Sequence, residues 1–237
     1  MKYFTAILLS AFLACSLSAQ SSSKRDILPA QRKAELKENF QKSLVKNDFG
    51  DIAIPVPKPD IDSSYEFEWM FGHPYHFLQF FDSDINGELL RKLTSDESYL
   101  QKASFKGNRA MSTIECYLKE WRLRLKKGSF KPSEIKRRLD EGQPMFAYLS
   151  LRSGELKETA ARLRERSKSA SAKDWQKALE KYELLKPARR KGTSTHSFIV
   201  GYNEATSEYR IFHGGDIYWL REQELKESLS EIFYVDL

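Results

Sequence analysis

Thr195-His196-Ser197-Phe198-Ile199-Val200-Gly201-Tyr202-Asn203, followed after a short turn by Glu208-Tyr209-Arg210-Ile211-Phe212-His213-Gly214-Gly215, is the stretch that decides the fold. Phe198, Ile199 and Val200 form an apolar run of aromatic and β-branched residues, and Asn203 to Ser207 carries turn chemistry. Tyr209, Ile211 and Phe212 supply a returning strand. The reading is a β-hairpin with His196 at the start of its first strand and His213 at the end of its second. Asp216 follows beyond two glycines.

Upstream, Pro132 and Ser133 begin a helix with Ile135 and Leu139 turned inward, and Gly142 ends it. Gln143-Pro144 then leads into Met145 to Leu151, a strand apolar enough to lie centrally. Before that unit, Met111, Ile114, Leu118, Trp121 and Leu125 keep helical spacing, from a helix start between Asn108 and Ser112. Cys116 lies beside this stripe, about two turns past the helix start, too deep to gain from the N-terminal dipole that lowers a thiol pKa.

From Gly142-Gln143-Pro144 through His196, Gly201-Tyr202-Asn203 and Trp219-Leu220, the chain resembles the C-terminal half of the double-glycine leader peptidase-like (peptidase C39-like) group of papain-like cysteine peptidases. The resemblance spans roughly residues 105 to 237. It implies an α+β papain-like fold, with an N-terminal helical part packed on a C-terminal antiparallel sheet. It also implies that His196 occupies the position of the general base and that the next strand carries the residue orienting it. Two departures stand out. No Cys follows a Gln at a helix start, and the orienting position holds His213 in place of Asp or Asn, with Asp216 as the nearest substitute carboxylate.

The chain has 237 residues, 41% hydrophobic and 30% charged, which suits one ordinary domain with a tail and a well-solvated surface. Lys2, the apolar run Tyr3 to Leu13 and the small residues through Ala19 follow the pattern of a secretory leader, giving a signal peptide over 1–19. The expected location is therefore periplasmic or extracellular. Phe12-Leu13-Ala14-Cys15 is a poor lipoprotein box, so membrane attachment is expected only if Cys15 carries lipid. Loss or lipidation of Cys15 leaves Cys116 as the single thiol, which excludes an intramolecular disulfide. Cys116 is then either a nucleophile paired with His196 or a small apolar residue buried in a helix.

Residues 20–60 read as a polar segment with an amphipathic helix from about Pro29 to Val45 and a proline-rich linker ending at Ile54-Pro55-Val56-Pro57-Lys58-Pro59, which places a domain edge near residue 60. Residues 61–237 form the expected papain-like domain. Its aromatic cluster, Phe67 to Phe81, stands where the family places its nucleophile and contains His73 and His76 but no Cys. A degenerate active-site helix is expected from about Pro74. The two histidines lack the further ligands a tetrahedral metal set needs, so no metal and no cofactor are expected.

Residues 154–192 hold twelve Lys or Arg against six Asp or Glu, an excess equal to the net charge of +6 of the whole chain. Leu156, Ala160 and Leu163, then Trp175, Leu179 and Tyr182, mark two helices around Ser167 to Ser171, read as a solvated helical insertion. The charges are mixed and no aromatic stacking surface accompanies them, so nucleic acid is not an expected partner. The expected partner is a peptide or protein substrate. Two functions follow: a peptidase-like protein with a degenerate site and a retained peptide-binding groove, or an active thiol peptidase using Cys116 and His196.

Overall fold

The computed structural model describes residues 29–57, 73–105, 108–187 and 195–237. The expected leader, Cys15, the first part of the aromatic cluster and the end of the basic segment lie outside the described residues.

The described chain begins with helix α1 (Pro29–Ser43), whose Leu36 and Phe40, one turn apart, are both buried. Strands β1 (Val45–Lys46) and β2 (Asp51–Ala53) follow as a short hairpin. Helices α2 (His73–Gln79), α3 (Gly87–Ser95) and α4 (Glu97–Leu100) come next, and α3 and α4 are capped by Asn86 and Asp96 through backbone N–H groups. Helix α5 (Arg109–Glu120) is capped by Asn108, which accepts from the Met111 N–H at 3.1 Å. It ends in a Schellman turn, with Leu123 N–H on the Leu118 carbonyl and Arg122 N–H on the Lys119 carbonyl, both at 2.9 Å.

Strand β3 (Arg124–Gly128) leads to helix α6 (Pro132–Asp140), which starts at its proline and buries Ile135 and Leu139 as expected. Strand β4 (Met145–Leu149) is buried at every position and lies between two other strands. Helices α7 (Ser153–Lys168) and α8 (Ala172–Leu179) follow. The hairpin appears as β5 (Thr195–Asn203) and β6 (Glu208–His213), joined by a turn in which Asn203 Oδ1 accepts from Thr206 N–H at 3.0 Å. Strand β7 (Asp216–Arg221), helix α9 (Glu222–Ser228) and strand β8 (Leu229–Asp236) complete the chain.

The eight strands of the described residues make one open antiparallel sheet, β3-β8-β4-β5-β6-β7 with the β1–β2 hairpin joined to β5 through β2, and the molecule is α+β. One edge of β5 serves β4 along its first half and β2 along its second, while its other edge pairs with β6. A bulge between Ile199 and Gly201 accommodates the change of partner. One face of the sheet meets α2 through a layer of aromatic rings, Phe77 against Phe146 at 5.5 Å and against Phe198 at 6.0 Å.

Two sequence expectations need correction. The segment before residue 60 is no detached tail: Leu36, Phe40 and Ile54 belong to the same core as Phe146 and Phe198, and β2 is part of the sheet. Two glycines are fitted to it. A Cβ at Gly201 would stand 2.3 Å from the Ile52 carbonyl oxygen, and one at Gly142, where φ is +73°, would stand 2.3 Å from that of Phe40.

The charged insertion is likewise not a solvated pair of helices. Helix α7 buries Thr159, Arg162 and Arg166, while Leu156, Ala160 and Leu163 are only partly covered. Arg166 bridges Asp51 on β2 and Glu208 on β6, and its guanidinium stacks 3.8 Å from the Trp219 ring. Arg162 pairs with Glu224 at 3.0 Å, and Trp175 Nε1 donates to Glu208 at 2.8 Å. Cations that are mutually paired and stacked go inside, so the inward stripe is polar.

Candidate functional site

His196 is placed by the pairing of β5 with β4, opposite Tyr148. Their rings lie 4.8 Å apart, and Phe146 flanks the imidazole at 5.5 Å. Alternation along β5 puts His196 and Phe198 on the face that α2 covers. There the His76 ring lies 6.5 Å from Phe198 and 5.6 Å from Phe212. Asn108 donates its side-chain N–H to the Tyr148 hydroxyl, which ties the start of α5 to the same spot. His196 and the hydrogen-bonded pair Tyr148 and Asn108 thus lie side by side at the margin of an aromatic layer, with His76 farther along that layer.

Burial is the main force on these groups. It lowers His196 from its ordinary 6.5 to about 4, with the charge of His213 acting in the same direction. It lowers His76 to about 4 as well, and raises Tyr148 to about 12. At neutral pH both imidazoles are therefore neutral and Tyr148 keeps its proton. Nδ1 of His76 and Oε1 of Gln79, one turn apart on α2, are buried without a hydrogen-bond partner among the described residues.

The other expected site residues do not join His196. His213 lies on the opposite face, where its Nδ1 stands 3.0 Å from both the Ser197 hydroxyl and the backbone carbonyl of His196. The carbonyl only accepts, so Nδ1 carries the proton, and the hydrogen bond engages the His196 backbone. Asp216 pairs with His213 across the β6–β7 turn, is exposed, and engages the Tyr218 hydroxyl. Cys116 is buried in a separate small cluster with Tyr99 and Ala103, where its thiol donates to the Tyr99 carbonyl at 3.4 Å. About 12 Å of helix axis separates it from Asn108, at 1.5 Å per residue over eight residues. Burial, followed by the charge of Glu115, raises its pKa and keeps it protonated.

Helix α2 begins at His73, one residue before the start expected for a degenerate active-site helix, and its described side chains include no thiol. Among the described residues no group of three or more His, Cys, Asp or Glu side chains could hold a metal ion, and no helix is long and apolar enough to cross a membrane. Tyr148 and Asn108 were not singled out from sequence. Alternation along the central strand points to Tyr148 once β4 is set beside β5, whereas Asn108 reads only as a helix cap. No family model, curated protein or solved structure matches this chain.

Proposed function

We propose that this chain is an exported, catalytically silent relative of the papain-like cysteine peptidases of the double-glycine leader peptidase-like group, one that holds a peptide or protein segment without cutting it. The observation that carries this reading is the separation of His196 from Cys116. The imidazole stands on the α2 side of the sheet against Tyr148 and Phe146, while the thiol is bonded to a backbone carbonyl in another cluster. Thiol hydrolysis needs a base within hydrogen-bond reach of the sulfur and an environment that tolerates an imidazolium. Aromatic walls that hold His196 near pKa 4 oppose the second requirement. They suit a neutral imidazole that exchanges hydrogen bonds with backbone amides. Export rests on the leader-like first residues.

The test uses a fluorescein-labelled mixture of random decapeptides and a thiol-directed alkylating probe, both at pH 7, on the native protein and His196→Ala. The expected outcome is no cleavage, weaker peptide binding by His196→Ala, and equally slow labelling of Cys116 in both, within about twofold, since reactivity follows the thiolate fraction. Peptide cleavage by the native protein, or fast labelling that His196→Ala slows, would establish a working thiol–imidazole pair and overturn the reading in favour of an active peptidase.

A further inference from the structure

Away from His196, the end of α5 and strand β3 enclose a cleft of about 420 Å³ floored by Leu123 and Leu125 and walled by Lys119, Arg122, Arg124 and Lys126. Its one carboxylate, Glu115, is already satisfied by the Lys119 ammonium at 2.7 Å and by the N–H groups of Ser104 and Phe105 at 2.6 and 3.1 Å. Lys126 is paired with Asp236 at 2.7 Å. Arg122 and Arg124 are exposed and have no carboxylate partner among the described residues. The cleft therefore presents two free guanidinium groups beside an apolar floor.

Two backbone features give that charge a direction. Among the described strands β3 pairs with β8 alone, so its second edge keeps open N–H and C=O groups. Arg122 itself holds a left-handed backbone, φ 56°, at the helix-ending position where glycine is the favoured residue. A long cationic side chain at this strained position is a reason to ask what its charge does there. Like charges along the edge repel a second copy of β3, so the surface selects an occupant of opposite sign.

We propose that this cleft binds an acidic peptide in extended conformation, added as a further strand to the open edge of β3 with its carboxylates on Arg122 and Arg124. The main chain supplies the ladder, the guanidinium groups read the alternate acidic side chains, and apolar residues between them meet Leu123 and Leu125. This site is independent of the one at His196.

The test measures fluorescence anisotropy of a labelled alternating Glu–Val decapeptide at low salt. Controls are its Lys–Val counterpart and the same Glu–Val peptide N-methylated at alternate residues. In His196→Ala, where the peptide contact proposed for the other site is removed, the Glu–Val peptide is expected to bind and neither control peptide is expected to bind. Arg122→Gly with Arg124→Gln is expected to weaken binding at least about tenfold, because it removes both charges facing the peptide. Relief of the left-handed residue should leave the melting temperature of that variant unchanged or raised, which separates lost recognition from lost folding. Absence of Glu–Val binding by His196→Ala, binding of either control peptide by that variant, or undiminished Glu–Val binding when Arg122→Gly and Arg124→Gln are added to it would each overturn the proposal.

Discussion

The behaviour of His196 and His76 is set by what surrounds each ring. Both have folded pKa values near 4 against an ordinary 6.5, through burial. Between those values the unfolded chain takes up protons that the folded chain refuses, so stability is full above about pH 6.5 and falls as pH drops toward 4. Each histidine contributes a slope on the order of 1 kcal/mol per pH unit across that window. Urea unfolding should therefore show a clear loss of stability from pH 7 to pH 5. His76→Phe, which fills the aromatic layer without a titrating ring, should flatten the slope by about half, and an unchanged slope would show that His76 is not buried against Phe212. His196 was legible in the sequence because the hairpin chemistry around it is strong. Its companions were not, since Tyr148 and Asn108 approach it only through strand pairing and a helix start some ninety residues away.

Among the elements, α7 shows how charge placement can defeat a periodicity argument. The apolar residues Leu156, Ala160 and Leu163 mark one face, yet the face turned to the sheet carries Arg162 and Arg166. Sequence alone cannot pair Arg166 with Asp51 and Glu208, because those carboxylates lie on strands far away along the chain. Removing the cation leaves two carboxylates facing each other in a buried setting. Arg166→Met should therefore destabilise the protein by about 3–5 kcal/mol, the cost of breaking a buried ion pair from one side. Chemical denaturation at pH 7 checks this, and a loss below about 1 kcal/mol would mean that the guanidinium is solvated. Elements with ordinary signals were read well: α6 begins at Pro132 and ends before Gly142, and β4 and β5 lie where continuous apolar runs put them.

At the scale of the whole molecule, the expected edge near residue 60 fails because the signals on either side of it are real but do not divide the core. The prolines after Ile54 mark an extended path, and that path starts inside the sheet, with Ile54 N–H on the Val200 carbonyl at 2.7 Å. Leu36, Phe40 and Ile54 are each buried in the common core, and each such side chain contributes about 1.5–3 kcal/mol. Together they rival the roughly 5–15 kcal/mol by which a domain is stable. A chain of residues 61–237 should thus lack a cooperative urea transition and lose its near-ultraviolet dichroism, whereas residues 20–237 should keep both. A sharp transition in the shorter chain would show that the C-terminal part folds alone.

The contact between Asp51 on β2 and Asn203 on β5 joins positions 152 apart in sequence. A ribosome adding roughly 5–20 residues per second delivers the second of them on the order of ten seconds or more after the first. Throughout that interval the opening hairpin has no strand to receive it, so it must wait, solvated or guarded by a chaperone, until β5 emerges. Completion of the sheet is thereby held back by the time needed to make the residues between β2 and β5.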